Sequence, residues 1–354
     1  MSPVNLAGKT LETGRTYVVA EMAWSHDGSK EHALEIVRAA ASGGADCISV
    51  HLTDVAAYMV PHYGSGKGRV SAGKEDQKIF EYLQSINIRN EWWPEIFQAA
   101  RDGGLAVAAM PNDLPSLELA RELAPDMYVL PAACFTDGEF VSAVAAEGKA
   151  MLLRVGGATL GEMESAIGRI RHAGCSDCVL LYGQQNYPTQ IGDTELRKLP
   201  TLKTLFGCPV GLADHVDAED PMALAVPLMA VAMGASVVEK HLTYDRSAKG
   251  EDHESALNPG ELAELVTRLR AAEAALGDSH FEALSESQQQ YRLVSRKRIV
   301  AAAEIPAGTE LTREHLATKR SDVGLYPESM DILIGRTVNH DLAVDEGITL
   351  ECIG

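Results

Sequence analysis

Two histidines, His215 and His241, each stand at the end of a short apolar run, Pro209-Val-Gly-Leu-Ala213 and Val237-Val-Glu-Lys-His241. If those runs are neighbouring strands, the imidazoles can meet as metal ligands. Asp252 or Glu21 would then complete a mixed nitrogen and oxygen set suited to a divalent ion, Mn, Fe, Co or Zn. Other groups able to bind or move protons also stand at run ends. They are Glu21, followed by Trp24-Ser-His26-Asp-Gly28; Ser49 and His51; Met110 and Asn112; Ala132 and Cys134; Arg154; Tyr182 and Gln184, with Tyr187 beyond; and Glu239 and Lys240. A long polar stretch, Tyr244 to His253, follows the last run. A lone histidine is more often structural than functional, so His32, His62, His172, His280, His315 and His340 read as solvated. Asp214 can equally orient a histidine, and Lys240 can be an internal ion pair rather than a nucleophile.

The elements that must position these groups repeat one pattern from Thr16 to about Leu276. Short β-branched or apolar runs alternate with longer amphipathic stretches. The eight runs begin at Tyr17, Cys47, Leu105, Met127, Ala150, Cys178, Pro209 and Val237. Near-continuous apolar strands separated by helices indicate a parallel sheet, and eight of them favour a (β/α)8 TIM barrel, an α/β fold. Strand ends then line the active site. Helices stop at Ala41-Ser-Gly-Gly-Ala-Asp46, Arg101-Asp-Gly-Gly104, His172-Ala-Gly174 and Met233-Gly-Ala235, where glycine closes a helix. The apolar stretch from Met222 to Met233, interrupted by Pro227, reads as a buried helix. Residues 277–295 are polar and aperiodic, which reads as a linker. Short alternations with turn chemistry follow, as in Ile305-Pro-Ala-Gly308, so a small β-rich module is expected. The division is a catalytic barrel over 1–280, a linker over 281–295 and a module over 296–354.

The chain has 354 residues and a formal charge of −19, from 50 Asp plus Glu against 31 Lys plus Arg. A hydrophobic fraction of 46% supports a sizeable core. So acidic a chain is repelled by polyanions, which argues against nucleic-acid and membrane partners. At 5% aromatic residues, little remains for base stacking. The N-terminal stretch lacks the apolar core of a signal peptide, and no run reaches the length of a membrane helix. Six scattered cysteines read as reduced thiols in a cytoplasmic protein, because Cys175-Ser-Asp-Cys178 has no second such pair for zinc.

With these residues assembled, the chain resembles the sialic acid synthase (N-acetylneuraminate synthase) family, which couples a barrel to a C-terminal antifreeze-like SAF domain. The matching stretches include Ala20-Glu-Met-Ala-Trp-Ser-His-Asp-Gly28, Tyr187-Pro-Thr189, Val210-Gly-Leu-Ala-Asp-His215, Glu239-Lys-His-Leu-Thr243, Gly250-Glu-Asp-His253, Leu257-Asn-Pro259 and Ala301-Ala-Ala-Glu-Ile-Pro-Ala-Gly308. Lys319-Arg320 and Leu333-Ile-Gly335 extend the match. The resemblance implies condensation of phosphoenolpyruvate with an acylated amino sugar, using Mn or a similar ion. It implies His215 and His241 as ligands, Glu21 and Asp252 beside the metal or its water, and Tyr187 at the pocket wall. It also implies that Arg320 reaches the sugar in a second protomer's barrel, in a domain-swapped homodimer.

The departures from the family pattern are concentrated on one substrate. Ser49-Val-His51 stands where the family carries Lys-Phe-Gln, and Val129-Leu-Pro-Ala-Ala-Cys134 replaces Lys-Ile-x-Ser-Gly-Glu. Arg154-Val-Gly156 replaces Ser or Thr-Gly, Ala109-Met-Pro111 replaces Ser-Thr-Pro, and Ala213-Asp-His215 replaces Ser-Asp-His. Each lost charge-assisted bond to a phosphate or carboxylate removes roughly 1.5 to 3 kcal/mol. Five such losses exceed what one added arginine restores. The expected enzyme is therefore metal-dependent and acts on a sugar or sugar-bearing substrate without phosphoenolpyruvate, with Glu21, His51 and Asp252 catalytic. Arg154, Tyr182, Gln184, Tyr187 and Arg320 are expected to bind substrate. Oxidation, aldol-type cleavage and isomerisation at a metal-chelated hydroxyl all fit this pattern. The alternatives are a phosphoenolpyruvate-dependent synthase whose phosphate site is rebuilt around Arg154, and a noncatalytic sugar-binding protein.

Overall fold

A computed structural model describes residues 4–11, 13–62, 78–175, 177–277 and 283–354. It divides into two compact units, Met1–Gly277 and Asp278–Gly354. In the first, eight strands close a parallel barrel: β1 (Tyr17–Glu21), β2 (Cys47–Leu52), β3 (Ala106–Pro111), β4 (Met127–Pro131), β5 (Ala150–Arg154), β6 (Cys178–Tyr182), β7 (Val210–Asp214) and β8 (Ala235–His241). Neighbours in the chain are neighbours in the barrel, and β8 returns to pair with β1. Each expected apolar run forms a strand, with ends shifted by at most two residues. The connecting helices include α1 (Lys30–Ser42), α2 (Trp93–Asp102), α3 (Leu114–Leu123), α4 (Gly138–Ala145), α5 (Leu160–His172), α6 (Lys198–Phe206), α7 (Ala225–Ala232) and α8 (Pro259–Leu276).

Strand side chains alternate between two cores, which is why the runs are apolar throughout. Tyr17, Val19, Cys47, Ala108, Met127, Val129, Leu152, Val179, Leu181 and Val237 fill the barrel interior. Val18, Ala20, Ile48, Val50, Tyr128, Leu130, Leu153, Leu180 and Val238 pack outward against the helices. A hairpin of Asn5–Leu6 with Lys9–Thr10 inserts Leu6 and Leu11 into the interior core. Helix stops behave as the glycine pattern predicts. Gly174 and Gly234 have φ of +92° and +95°, and each has open space where a Cβ would stand, so the backbone conformation is what requires glycine there.

Two expectations are corrected. The stretch from Met222 to Met233 is not a helix buried all round: α7 spans Ala225–Ala232, where Val226, Pro227 and Ala230 are buried and Met229 is exposed, and Met222 and Met233 on either side of it are exposed too. The expected linker over 281–295 contains a helix, α9 (Glu286–Ser295), opened by a capping box between Ser285 and Gln288. His280 and residues 281–282 lie outside the described residues. The second unit pairs β9 (Lys297–Ala301) with β10 (Leu316–Arg320) in antiparallel fashion over a core including Ile299, Ile305, Leu311, Leu333, Val338 and Ile348. Among the described residues no helix is long and apolar enough to cross a membrane. All six cysteines are free and buried.

Candidate active site at the barrel mouth

Strand parity delivers the site. Counting by two from the interior residues Tyr17 and Val19 reaches Glu21. The same count from Cys47 reaches His51, from Leu152 reaches Arg154, and from Val237 reaches Glu239 and His241. These five converge at the C-terminal end of the barrel, where His241 stands in register with Glu21 across the closing pair. Glu21, Arg154, Glu239 and His241 are all buried.

The centre is an ionic chain. One Arg154 Nη nitrogen donates to Glu21 Oε2, and Arg154 Nε approaches Glu239 Oε1 to 2.9 Å, an ion pair whose alignment falls short of a hydrogen bond. The other Nη lies 3.4 Å from His51 Nε2, which is itself 3.5 Å from Glu21 Oε1. The remaining Glu21 oxygen accepts the Ala23 backbone N–H at 2.7 Å. Burial would raise the Glu21 carboxyl, but Arg154 and then His51 oppose it and hold it below its ordinary value. Burial dominates at Glu239, where Glu21 adds repulsion and Arg154 only partly compensates, and the group is pushed up to about 7. Burial likewise pulls His51 down to about 4, so its ring is neutral near pH 7.

Beside this chain stand the two candidate ligands, with ring centres 5.0 Å apart. His215 Nδ1 is 2.6 Å from the carbonyl oxygen of Gln184, so the proton sits on Nδ1 and Nε2 is left as a bare lone pair. That Nε2 and both ring nitrogens of His241 are buried, and among the described residues they have no hydrogen-bond partner. Burial is the first cause that pulls His215 down to about 3 and His241 well below its ordinary range. Neutral imidazoles with orphaned nitrogens fit a divalent ion. Among the described residues no three His, Cys, Asp or Glu side chains form a ready cage, so the fit rests on this histidine pair.

Tyr187 packs its ring 4.6 Å from His215 and 5.4 Å from His241, and its hydroxyl donates to Gln185 Oε1 at 2.8 Å. Burial and then the Asp252 carboxylate raise the Tyr187 phenol, which places Asp252 within electrostatic reach of the cluster. Gln184 serves through its backbone carbonyl. Tyr182 is not brought to the cluster: it shares the parity of Leu180, packs in the layer between barrel and helices, and points its hydroxyl at Glu195, 3.4 Å away. Arg320 lies in the second unit, where it donates to the Val294 carbonyl. Lys240 and Asp214 have the outward parity and pair with each other at 3.0 Å, with Lys240 also donating to the Val216 carbonyl. Glu239, in the run-end group but without an assigned role, belongs to the ionic chain. Its position two residues before His241 on one strand was the available signal.

This geometry can be set beside known proteins. The NeuB family model matches residues 36–281, and a SAF domain model matches 296–353. The chain belongs to the NeuB family. Its relatives include a pseudaminic acid synthase of Campylobacter jejuni, 28% identical over 94% of this chain and 95% of that one. They also include an N,N'-diacetyllegionaminic acid synthase of the same species, 27% identical over 94% and 98%. Among solved structures, an N-acetylneuraminic acid synthetase from Leptospira borgpetersenii in complex with citrate superposes with a TM-score of 0.71, at 24% identity over 82% of this chain and 96% of that one. The last likeness is one of fold. The NeuB-family barrel and the SAF domain expected from the sequence are therefore both present, and the relatives are carbohydrate-biosynthetic synthases.

Proposed function

We propose that this NeuB-family chain is a metal-dependent enzyme that acts on a sugar or sugar-bearing substrate without phosphoenolpyruvate. The observation that carries the reading is the state of Arg154. Among the described residues it is the one cation gained at the mouth by comparison with the family pattern, and both its faces are taken by Glu21 and Glu239. An arginine so neutralised is a poor receptor for a phosphate or carboxylate, which needs unspent positive charge. The histidine pair beside it keeps bare nitrogens for an ion.

A divalent ion held by His215 and His241, Mn first and Fe, Co or Zn as alternatives, would supply Lewis acidity to a chelated sugar oxygen. The protein's own groups would handle the proton. Glu239, at about 7, is poised to take or return a proton near neutral pH, and Glu21 stays ionised beside it. His51, neutral and close to both Glu21 and Arg154, would orient a substrate hydroxyl or relay its proton. Tyr187 would close the wall over the histidines and Asp252 would accept from a substrate hydroxyl. Oxidation, aldol-type cleavage and isomerisation are all served by such a set. The homodimer, with Arg320 contacting sugar in a second copy, belongs to the same proposal.

Metal analysis of the purified protein, with aerobic and anaerobic turnover of a sugar panel, tests the reading. Turnover of a sugar with no phosphoenolpyruvate added is expected, and peroxide formed only in air would identify oxidation. Phosphoenolpyruvate consumption with phosphate release would instead assign a synthase of the kind its relatives are named for. A bound ion with no turnover of any sugar would favour a binding protein.

A further inference from the structure

The loop that follows β8 runs from Leu242 to Asn258 and frames the histidine pair through its backbone. Ser255 Oγ donates to the His215 carbonyl at 2.8 Å, and the Leu257 N–H donates to the His241 carbonyl at 2.8 Å. Because β8 pairs with β1, this loop lies against the one that follows β1. The contact between them centres on two side chains outside the ionic chain. His253 is buried, with Nε2 3.0 Å from Thr243 Oγ1, 3.3 Å from the Ser25 carbonyl and 3.6 Å from Asp27 Oδ2. Asp27 also accepts from the Tyr244 hydroxyl at 3.5 Å, and the Tyr244 ring stacks on His32 with centres 3.8 Å apart.

Two further features show how tightly the contact is drawn. A methyl group built on Gly250 would stand 2.3 and 2.4 Å from the Asp27 carboxylate oxygens and 2.6 Å from His253 Nε2, so the loop passes over the pair with no room for a side chain. Three residues without glycine's freedom hold left-handed backbone here: Ala23 at φ +44°, Asp27 at +50° and Asp252 at +62°. Such conformations persist where surrounding contacts over-determine them, and they gather at functional sites. Asp252 immediately precedes His253, so whatever fixes His253 fixes the direction in which Asp252 leaves the chain.

We propose that Asp27 and His253 are positioning residues that latch the loop after β8 onto the loop after β1 and so fix the left-handed backbone from which Asp252 projects. What Asp252 then does rests on the functional reading above, whereas the latch itself does not. Gly250 is its clearance.

Amide hydrogen exchange of the full chain, without added metal or sugar, tests the latch. In His253→Ala, exchange across 250–257 should rise by about tenfold or more while that of Met127–Arg154, on the far side of the barrel, stays at the wild-type rate. His253→Gln, whose amide nitrogen reaches where Nε2 stands, should restore most of the protection, a rescue that simple loss of bulk would not predict. Asp27→Asn tolerates the left-handed backbone and serves if His253→Ala does not fold; it should loosen the same segment. Unchanged exchange over 250–257, or an equal rise throughout the barrel, overturns the proposal. A purified protein without metal would count against the functional reading and leave this result standing.

Discussion

Glu21 on β1 and His241 on β8 occupy matched positions across the strand pair that closes the barrel, so the carboxylate and the imidazole reach the mouth at one height. His215, one residue beyond β7, completes the pair of imidazoles from the other side of β8. The histidine pair thus comes from two directly paired strands, and closure of the barrel brings Glu21 to it.

His215→Ala and His241→Ala should each lower affinity for a divalent ion by more than about 100-fold, since losing even an outer partner of a ligand costs 10 to 100-fold. Equilibrium dialysis followed by elemental analysis checks this. Stoichiometric metal in both variants would remove the two histidines from the ligand set.

Arg154→Met should be strongly destabilising. It leaves the Glu21 and Glu239 carboxylates buried without their shared cation, and breaking such a pair costs about 3 to 5 kcal/mol. For a unit of this size the melting temperature should fall by about 10 °C. The double variant Glu21→Gln with Arg154→Met, which removes one carboxylate as well, should recover part of the loss. Thermal denaturation of the three proteins side by side gives the answer, and a single variant as stable as wild type would contradict the ionic chain.

The acid limb of stability should carry the signature of His51. Its ordinary value of 6.5 drops to about 4 in the folded protein, because burial disfavours the charged ring. Between those values the unfolded chain binds the proton and the folded chain does not. The contribution is therefore intact above pH 6.5 and is lost as pH falls toward 4. At about 1.4 kcal/mol per unit it amounts to about 3 kcal/mol. His51→Gln should flatten the stability profile over that window. Denaturant midpoints at several pH values would detect the change, and parallel profiles for variant and wild type would refute it.

The barrel was legible because each strand is buried on both faces, which leaves an uninterrupted apolar run such as Met151-Leu-Leu153 that no half-exposed strand would show. The site was legible at Glu21, His51, Arg154 and His241 because ionisable groups rarely end such runs without purpose. Tyr182 went astray because a run end says nothing of facing: one residue of parity separates the interior from the helix layer, and Leu181 holds the interior position. The helix over 286–295 was hidden because its apolar residues Tyr291, Leu293 and Val294 are exposed and show no buried stripe, although the Ser285 and Gln288 capping pair was present in the sequence. Glu239 needed distances, since only the approach of Arg154 and, among the described residues, the absence of a hydrogen-bond partner distinguish it from a solvated carboxylate.

Lys240 presents the sharpest choice between chemistry and architecture, because a buried lysine in a carbohydrate enzyme can form a Schiff base with a carbonyl substrate. Its geometry favours architecture. The ammonium is fully buried, pairs with Asp214 at 3.0 Å, donates to the Val216 carbonyl at 2.9 Å, and belongs to a strand position of the opposite parity to His241. Lys240→Met should therefore cost about 3 to 5 kcal/mol of stability by stranding Asp214. The double variant Lys240→Met with Asp214→Asn should regain much of it. Metal content should not change in either folded variant. Borohydride reduction in the presence of pyruvate or a small sugar aldehyde should leave Lys240 unlabelled by peptide mass spectrometry. A reduced adduct on Lys240 would overturn the assignment and would require the strand to expose a side chain that the Asp214 pairing holds inside.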